Sequence, residues 1–244
     1  TGEKINRFTH IHQSPDDLVK KVKLLRILGQ RTGTCFQRCV GWDALNALYA
    51  VTYDIGRSGK PEYHDRFREY LKRAQRENLM LCGAMTDPKG DRGLPPGKQP
   101  DPDQYLRVVS REKDGVVIRG AKLHQTGAVN SHEFIVMPTT ALQEDEQDYA
   151  ISCAVPVDAD GITMIFGRQS NDTRKIMGED IDIGNAQFGL VGGEASVFFD
   201  DVFVPWERVF MFRETQFAGQ LVEMFASWHR QNYGGCKAGV MDVI

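Results

Sequence analysis

The chain has 244 residues, and its 30 lysines and arginines against 33 acidic residues give a formal net charge of -3. The length allows one large domain or two smaller ones, and the charge balance excludes a broad basic surface for nucleic acid. No run of about 18 apolar residues occurs, so no membrane span is predicted. Five cysteines, an odd number without a secretory segment, argue against a disulfide framework and predict a reducing, cytoplasmic location.

The first third of the chain is predicted to be helical. Ser14 and Pro15, followed by two acids, form the pattern of a helix N-terminus, and Gly29 is the predicted end of that helix. A second helix is predicted to carry Cys35 and Cys39, and a third to cover about residues 61–78. The chain begins without methionine and stops inside an apparent apolar helix, a pattern that predicts a fragment of a longer protein.

Proline and glycine recur from residue 86 to residue 102, where neither a helix nor a central strand is expected. Loops of this length in a compact protein are usually functional or disordered. Lys89, Arg92 and Lys98 lie beside glycines and could meet a phosphate. The alternative is a solvated surface loop.

After this loop the apolar residues alternate with a period of two, which predicts strands. Asp114-Gly115 is a hairpin signal between the first two. A new helix is predicted from about Glu214 onward. Helices followed by an antiparallel barrel or sandwich and then another helix give an α+β fold. The predicted strands are Tyr105–Arg111, Val116–Ala121, Glu133–Met137, Tyr149–Val157, Gly161–Gly167 and Ala195–Val204.

Two distant segments hold four potential metal ligands, which are Cys35, Cys39, His229 and Cys236. On helices, residues four or seven apart return to nearly the same face, so each pair would point in one direction. Seven residues of helix span roughly 10 Å, whereas the ligands of one zinc ion lie about 4 Å apart, and this favours an iron–sulfur cluster over zinc. Core packing and an oxidation-sensitive switch stay open as alternatives. Cys82 and Cys153 lack partners at ligand spacing and are predicted to be core residues.

These residues resemble the 4-hydroxybutyryl-CoA dehydratase (vinylacetyl-CoA Δ-isomerase) family. The resemblance covers the whole chain and rests on the two ligand pairs, on Ala84 to Arg92 and on His124 to Gly127. The enclosing superfamily includes acyl-CoA dehydrogenases and 4-hydroxyphenylacetate 3-monooxygenases. It implies a helical domain at 1–83, an antiparallel β-barrel with a flavin-contacting loop at 84–206, and the first helix of a truncated C-terminal helical domain at 207–244.

The family resemblance implies an enzyme that dehydrates 4-hydroxybutyryl-CoA to crotonyl-CoA and isomerises vinylacetyl-CoA. It implies FAD, a 4Fe-4S cluster with three Cys ligands and one His ligand, and a homotetramer. Carried over by motif, the cluster ligands are Cys35, Cys39, His229 and Cys236. The implied FAD contacts are Met85, Thr86, Asp87, Lys89, Arg92, His124, Gln125 and Thr126.

The hydrogen on C3 of the substrate is not acidified by the thioester, so a general base alone has little to act on. One-electron oxidation by flavin would make it removable, and the iron bound by His229 could act as Lewis acid for the departing hydroxyl. Glu194 and Tyr233 are candidates for proton handling, or else a turn acid and a packing residue. Gln37 and Lys237 are candidates for orienting the substrate, or else lie on a solvated face. The competing functions are a cluster-free flavin monooxygenase or acyl-CoA dehydrogenase-like enzyme, and a non-catalytic Cys3His zinc module.

Overall fold

The computed structural model describes residues 4–33, 36–166 and 194–244. Within them, no helix is both long and apolar enough to cross a membrane. The Ser14 side chain caps the first helix by accepting from the Asp17 backbone N–H, and Pro15 is its first residue, as predicted. The α-helices are α1 (Pro15–Thr32), α2 (Cys39–Arg57), α3 (Glu62–Arg76) and α4 (Thr215–Met241).

Helix α1 ends at Gly33 rather than at the predicted Gly29. Gly33 adopts a left-handed φ of 65° and its N–H bonds to the Gly29 carbonyl, which is the usual way a glycine ends a helix. Gly29 lies one turn earlier, where a Cβ atom would come within 2.3 Å of the Cys236 carbonyl oxygen of α4. The glycine at position 29 therefore allows close contact between two helices, which its sequence context does not reveal.

Helix α2 begins at Cys39, so the prediction that one helix carries both Cys35 and Cys39 is wrong. Arg38 is its N-cap residue, and Gln37 has a φ of 65°, which is outside the helical region for a non-glycine residue. Cys35 itself lies outside the described residues. Residues 36–38, which lie between the two cysteines, are therefore not helical.

The described strands form two four-stranded sheets. The first has the order β1-β4-β5-β8, with β1 and β4 parallel, and the second has the order β2-β3-β7-β6 with antiparallel neighbours throughout. The strands are β1 (Leu81–Ala84), β2 (Arg107–Arg111), β3 (Gly115–Gln125), β4 (Glu133–Val136), β5 (Ile151–Pro156), β6 (Ile162–Phe166), β7 (Ala195–Pro205) and β8 (Val209–Phe212).

The α+β class and the six predicted strands are confirmed, but the closed antiparallel barrel is not. In the described residues the two sheets stay separate, and the first of them contains a parallel pair. The strands β1 and β8 were not predicted; like β4, which was, both are four residues long and buried along their whole length. Short, fully buried strands lack the alternation of apolar and polar residues that reveals a half-buried strand.

Within the described ranges, one apolar core joins the helices to both sheets. A Cβ atom at Gly41 of α2 would lie 2.3 Å from the Leu81 carbonyl oxygen of β1, so α2 sits directly on the edge of the first sheet. In α3, the Phe67 ring meets the Phe210 ring of β8 edge-on, with 5.3 Å between centroids. Helix α4 then follows β8 and packs on α1 and α2, which brings its residues back to the beginning of the chain.

Candidate functional site

The start of α2 lies against the middle of α4. The Nδ2 atom of Asn232 donates to the Cys39 carbonyl oxygen at 3.5 Å and to Oδ1 of Asp43 at 2.5 Å. Asn232 sits between His229 and Cys236 in the sequence, so this contact brings two of the predicted ligand segments together across nearly the whole chain. Cys39 and Cys236 are both buried, with 1% and 2% of their surfaces exposed.

A buried chain of polar contacts leads from α1 to His229. Lys21 donates from Nζ to Oδ1 of Asp43 at 2.6 Å, and both side chains have no exposed surface. Oδ2 of Asp43 lies 3.0 Å from Nδ1 of His229. Sequence reasoning singled out neither Lys21 nor Asp43. The available signal was that Asp43 follows Cys39 by four residues and so shares its face of α2.

The contact with Asp43 determines which His229 nitrogen is available to a ligand. A carboxylate accepts hydrogen bonds, so in the neutral imidazole this contact favours the tautomer with the proton on Nδ1 and the lone pair on Nε2. Metal-binding histidines usually donate their other ring N–H to a carboxylate or carbonyl in this way. Phe225 stacks on the imidazole, with 5.6 Å between centroids and 8° between planes. The donor chemistry of His229 therefore fits the predicted ligand role.

No three His, Cys, Asp or Glu side chains in the described ranges are grouped as ligands of a single metal ion. A cluster binds each ligand through a different iron, so its ligands need not converge on one point. Two thiols and one imidazole of the predicted set lie on adjoining helices. The fourth ligand, Cys35, belongs to the part of the chain that is not described.

Tyr233 and Lys237 lie on the exposed side of α4. The Tyr233 side chain is exposed, and Nζ of Lys237 is 5.3 Å from the centroid of its ring. Tyr233 directly follows the buried Asn232 in the sequence, and Lys237 directly follows the buried Cys236. The backbone of Tyr233 nevertheless contacts a predicted ligand, because its carbonyl oxygen accepts from Sγ of Cys236 at 3.4 Å.

Asp87, in the predicted flavin loop, is buried and paired with Lys122 of β3 at 2.8 Å. Burial raises the pKa of Asp87 and lowers the pKa of Lys122, and the attraction between the two charges offsets part of each shift. Lys122 also donates to the carbonyl oxygens of Met85 and Met137 at 2.9 and 2.8 Å, while Asp87 accepts from the Leu106 N–H. Asp87 thus fixes the shape of the loop from inside.

The two predicted flavin segments are neighbours. The Thr86 carbonyl oxygen accepts from the Leu123 N–H at 2.8 Å and from Nε2 of Gln125 at 3.3 Å. His124 is exposed and has a φ of 54°, whereas Gln125 is buried and Thr126 half-buried. Lys89 and Arg92 are exposed and line an open cleft of about 470 Å³.

Gln37 connects this region to the ligand segment. A Cβ atom at Gly127, directly after Thr126, would lie 3.1 Å from the Gln37 carbonyl oxygen. On the other side, Gln125 pairs with Ala195 at the start of β7, which places the exposed Glu194 at the same end of the second sheet. Gln37 and Glu194 therefore both lie near the segment His124 to Thr126. Gln37 precedes Cys39 by two residues in the sequence.

Residues 1–211 match the family described as 4-hydroxyphenylacetate 3-hydroxylase N terminal. The chain belongs to this family. It is 59% identical over all 244 residues to the 4-hydroxybutyryl-CoA dehydratase/vinylacetyl-CoA-Δ-isomerase of Clostridium aminobutyricum, and it covers 49% of that protein. The chain thus spans about half the length of this curated relative.

Solved structures agree with the family assignment. An oxygen-tolerant archaeal 4-hydroxybutyryl-CoA dehydratase from N. maritimus superposes with a TM-score of 0.92 at 51% identity, over 100% of this chain and 48% of that one. The oxygenase component of a 4-hydroxyphenylacetate 3-monooxygenase, solved with FAD, superposes with a TM-score of 0.80 at 22% identity, over 99% of this chain and 49% of that one. This second likeness concerns the fold alone.

Proposed function

We propose that the full-length protein dehydrates 4-hydroxybutyryl-CoA to crotonyl-CoA and isomerises vinylacetyl-CoA, with FAD and a 4Fe-4S cluster as cofactors. The observation that carries the proposal is the contact of Gln37 with Gly127, because it sets the ligand segment beside the predicted flavin segment. An enzyme that needs both cofactors for one substrate needs both segments at one place. The 59% identity to a dehydratase over the whole chain supports the same reaction.

In this proposal the cluster is held by Cys35, Cys39, His229 and Cys236. The flavin is held by Met85, Thr86, Asp87, Lys89, Arg92, His124, Gln125 and Thr126. When bound, the flavin supplies one-electron redox chemistry and the cluster supplies a Lewis acid, which ordinary side chains provide poorly.

The chain's own residues bind and orient these groups. Lys89 and Arg92 are exposed cations beside the cleft, suited to anionic phosphates. Asp87 also acts through Lys122: its carboxylate faces the Lys122 ammonium, which donates to the Met85 carbonyl oxygen and so holds that group in place. Gln125 is tied to the Thr86 carbonyl oxygen, which holds the two flavin segments in a fixed relation.

Proton transfer is assigned to groups with a titratable oxygen near the ligand segments. Glu194 is exposed at the end of the second sheet, where a carboxylate can accept a proton from the substrate. Tyr233 presents an exposed ring beside the Lys237 ammonium, and its hydroxyl can hold the substrate hydroxyl or donate the proton with which that group leaves as water. Gln37 and Lys237 orient the substrate through an amide and a cation.

The test is anaerobic purification of the full-length protein, followed by measurement of iron, sulfide, zinc and flavin, and of crotonyl-CoA formation. We expect about four irons and four sulfides for each flavin. Near-stoichiometric zinc without iron or flavin would establish the zinc module instead. Flavin without iron would establish the cluster-free monooxygenase or dehydrogenase-like enzyme.

Cysteine variants separate ligands from core residues. Cys236→Ala is expected to abolish dehydratase activity and lower the iron content while flavin binding partly survives. Cys82→Ala is the matched control, because Cys82 is also fully buried and its pKa is raised to about 12 by burial. Equal iron content in the two variants would contradict the ligand assignment.

The division at residues 83 and 206, the homotetramer and the cytoplasmic location stay predictions. The second boundary separates β5 from β8, which pair in the first sheet, so we expect residues 207–212 to fold with the sheets. Light scattering of the full-length protein tests the tetramer.

A further inference from the structure

We infer that Asp43 is a positioning residue that orients His229 so that Nε2 faces the iron–sulfur cluster, with Lys21 as the buried anchor of Asp43. The inference rests on the proposed cluster function and adds to it a residue that does not itself bind iron.

Both carboxylate oxygens of Asp43 are engaged. Oδ1 accepts from Lys21 at 2.6 Å and from Asn232 at 2.5 Å, and Oδ2 faces Nδ1 of His229 at 3.0 Å. Asp43 has no exposed surface, so solvent does not compete for these contacts. A carboxylate held from two directions gives the His229 N–H one fixed acceptor.

Lys21 anchors the carboxylate from a third helix. Its Nζ also lies 3.4 Å from the Trp228 carbonyl oxygen, in the residue directly before His229. One buried ammonium therefore contacts the carboxylate that orients the ligand and the backbone that carries it. The position of His229 is fixed relative to both α1 and α2.

The Nε2 edge of the His229 imidazole is the edge that remains for a ligand. Asp43 holds the Nδ1 edge, and Phe225 covers a face of the ring in a stacked contact. The side chain nevertheless stays 34% exposed, so the ring is not enclosed on its remaining side. A histidine that served only to pack α4 against α2 would gain nothing from an open edge.

Burial of the Lys21 and Asp43 pair has an energetic cost that points the same way. Buried ion pairs are often no more stabilising than apolar residues of the same size. The second carboxylate oxygen of Asp43 contacts the partly exposed His229. The cost of burying the ion pair is explained if His229 needs a fixed orientation. Mutation of a carboxylate that orients a metal-bound histidine typically lowers metal affinity by about 10–100-fold.

The test uses the full-length protein, purified anaerobically with its cofactors. Asp43→Asn keeps the size of the side chain and removes its charge. We expect the rate of iron release to a chelator to rise by about 10–100-fold and the midpoint potential of the cluster to shift, with flavin content unchanged. Wild-type release rate and potential in the variant would overturn the inference.

Glu133→Gln is the matched control for general destabilisation. Glu133 is another buried carboxylate, bonded to Tyr70 at 2.8 Å and Arg73 at 2.6 Å, far along the chain from the ligands. It should unfold more easily in urea and yet keep the wild-type potential. A potential shift as large as that of Asp43→Asn would reduce Asp43 to a structural role and overturn the inference.

A double-mutant cycle and a measurement on the unaltered protein complete the test. In a His229→Cys background, Asp43→Asn should add little to iron release, because no imidazole remains to be oriented; additive effects would overturn the inference. Pulsed EPR of the reduced wild-type cluster, with histidine labelled at either nitrogen, should show coupling to Nε2, and coupling to Nδ1 would overturn it. A wild-type protein that lacks iron fails the proposed function itself, which is a separate outcome.

Discussion

Among the residues that the structure describes, two lysines are fully buried, each against an aspartate, and the two pairs differ in the partners of their remaining hydrogen bonds. Lys122 and Asp87, in the sheet region, bond otherwise to backbone groups of Met85, Met137 and Leu106. Lys21 and Asp43, in the helical region, lead through Asp43 to the side chains of Asn232 and His229.

On this difference rests our proposal that the sheet pair has a structural role and the helical pair a functional one. The partners of the sheet pair are backbone groups, which the fold holds in place, so this pair secures the loop that is predicted to contact flavin. In the helical pair, Asp43 contacts Nδ1 of the partly exposed His229 imidazole and leaves Nε2 without a contact to the carboxylate. Burial alone does not distinguish a functional ion pair from a structural one. The distinction proposed here depends on whether the pair's further partners are backbone groups or a side chain such as His229.

Lys122→Met should have the largest effect on stability. It leaves Asp87 buried without its cation, a change that typically costs about 3–5 kcal/mol. Urea unfolding at pH 7 measures the loss. The double variant Lys122→Met, Asp87→Asn should recover much of it. If the single variant also released iron as fast as Asp43→Asn, the separation of the two pairs would be wrong.

Gly29→Ala should have an intermediate effect, through the helix contact that holds Lys21 in place. The added Cβ would lie 2.3 Å from the Cys236 carbonyl oxygen, and overpacking of this kind costs about 1–3 kcal/mol. Gly234→Ala is the matched control, since no atom lies within 4 Å of its Cβ position in the same helix pair. The control should be neutral or stabilising by up to about 1 kcal/mol; equal losses in thermal unfolding would contradict the contact.

His12, which lies in the helical region, should have the smallest effect, through the pH dependence of the free energy of unfolding. Burial, and then the charge of Lys21, lowers its pKa from 6.5 to about 4. The unfolded chain therefore binds a proton before the folded chain does, and stability falls as the pH drops from about 6.5 to about 4. Allowing for partial exposure, the loss is about 1–2 kcal/mol. His12→Phe should flatten urea midpoints across this range, and an unchanged slope would refute the assignment.

Patterns with a local physical cause were predictable from sequence. The Ser14 and Pro15 helix start, the Asp114-Gly115 hairpin between β2 and β3, and the long helix that holds His229 and Cys236 all follow from neighbouring residues. Burial of Cys82 and Cys153 was also predicted and is confirmed.

Features that depend on distant partners were not predictable. Gly29 has the local signature of a helix end, and only α4 explains its place inside a helix. Lys21 reads as one more surface cation of α1, because its partner is 22 positions away. The left-handed turn at Gln37 breaks the expected helix through Cys35 and Cys39, since two cysteines four apart fit a turn as well as a helix.

The contact between Asn232 and Cys39 joins residues 193 positions apart, which has a consequence for the order of assembly. At synthesis rates of about 5–20 residues per second, Cys39 leaves the ribosome roughly 10–40 s before α4 exists. During that interval its thiol has no helix to cover it. Under the proposed function, the cluster can therefore be inserted only late in synthesis, and the thiol of Cys39 must stay reduced until His229 and Cys236 have been made.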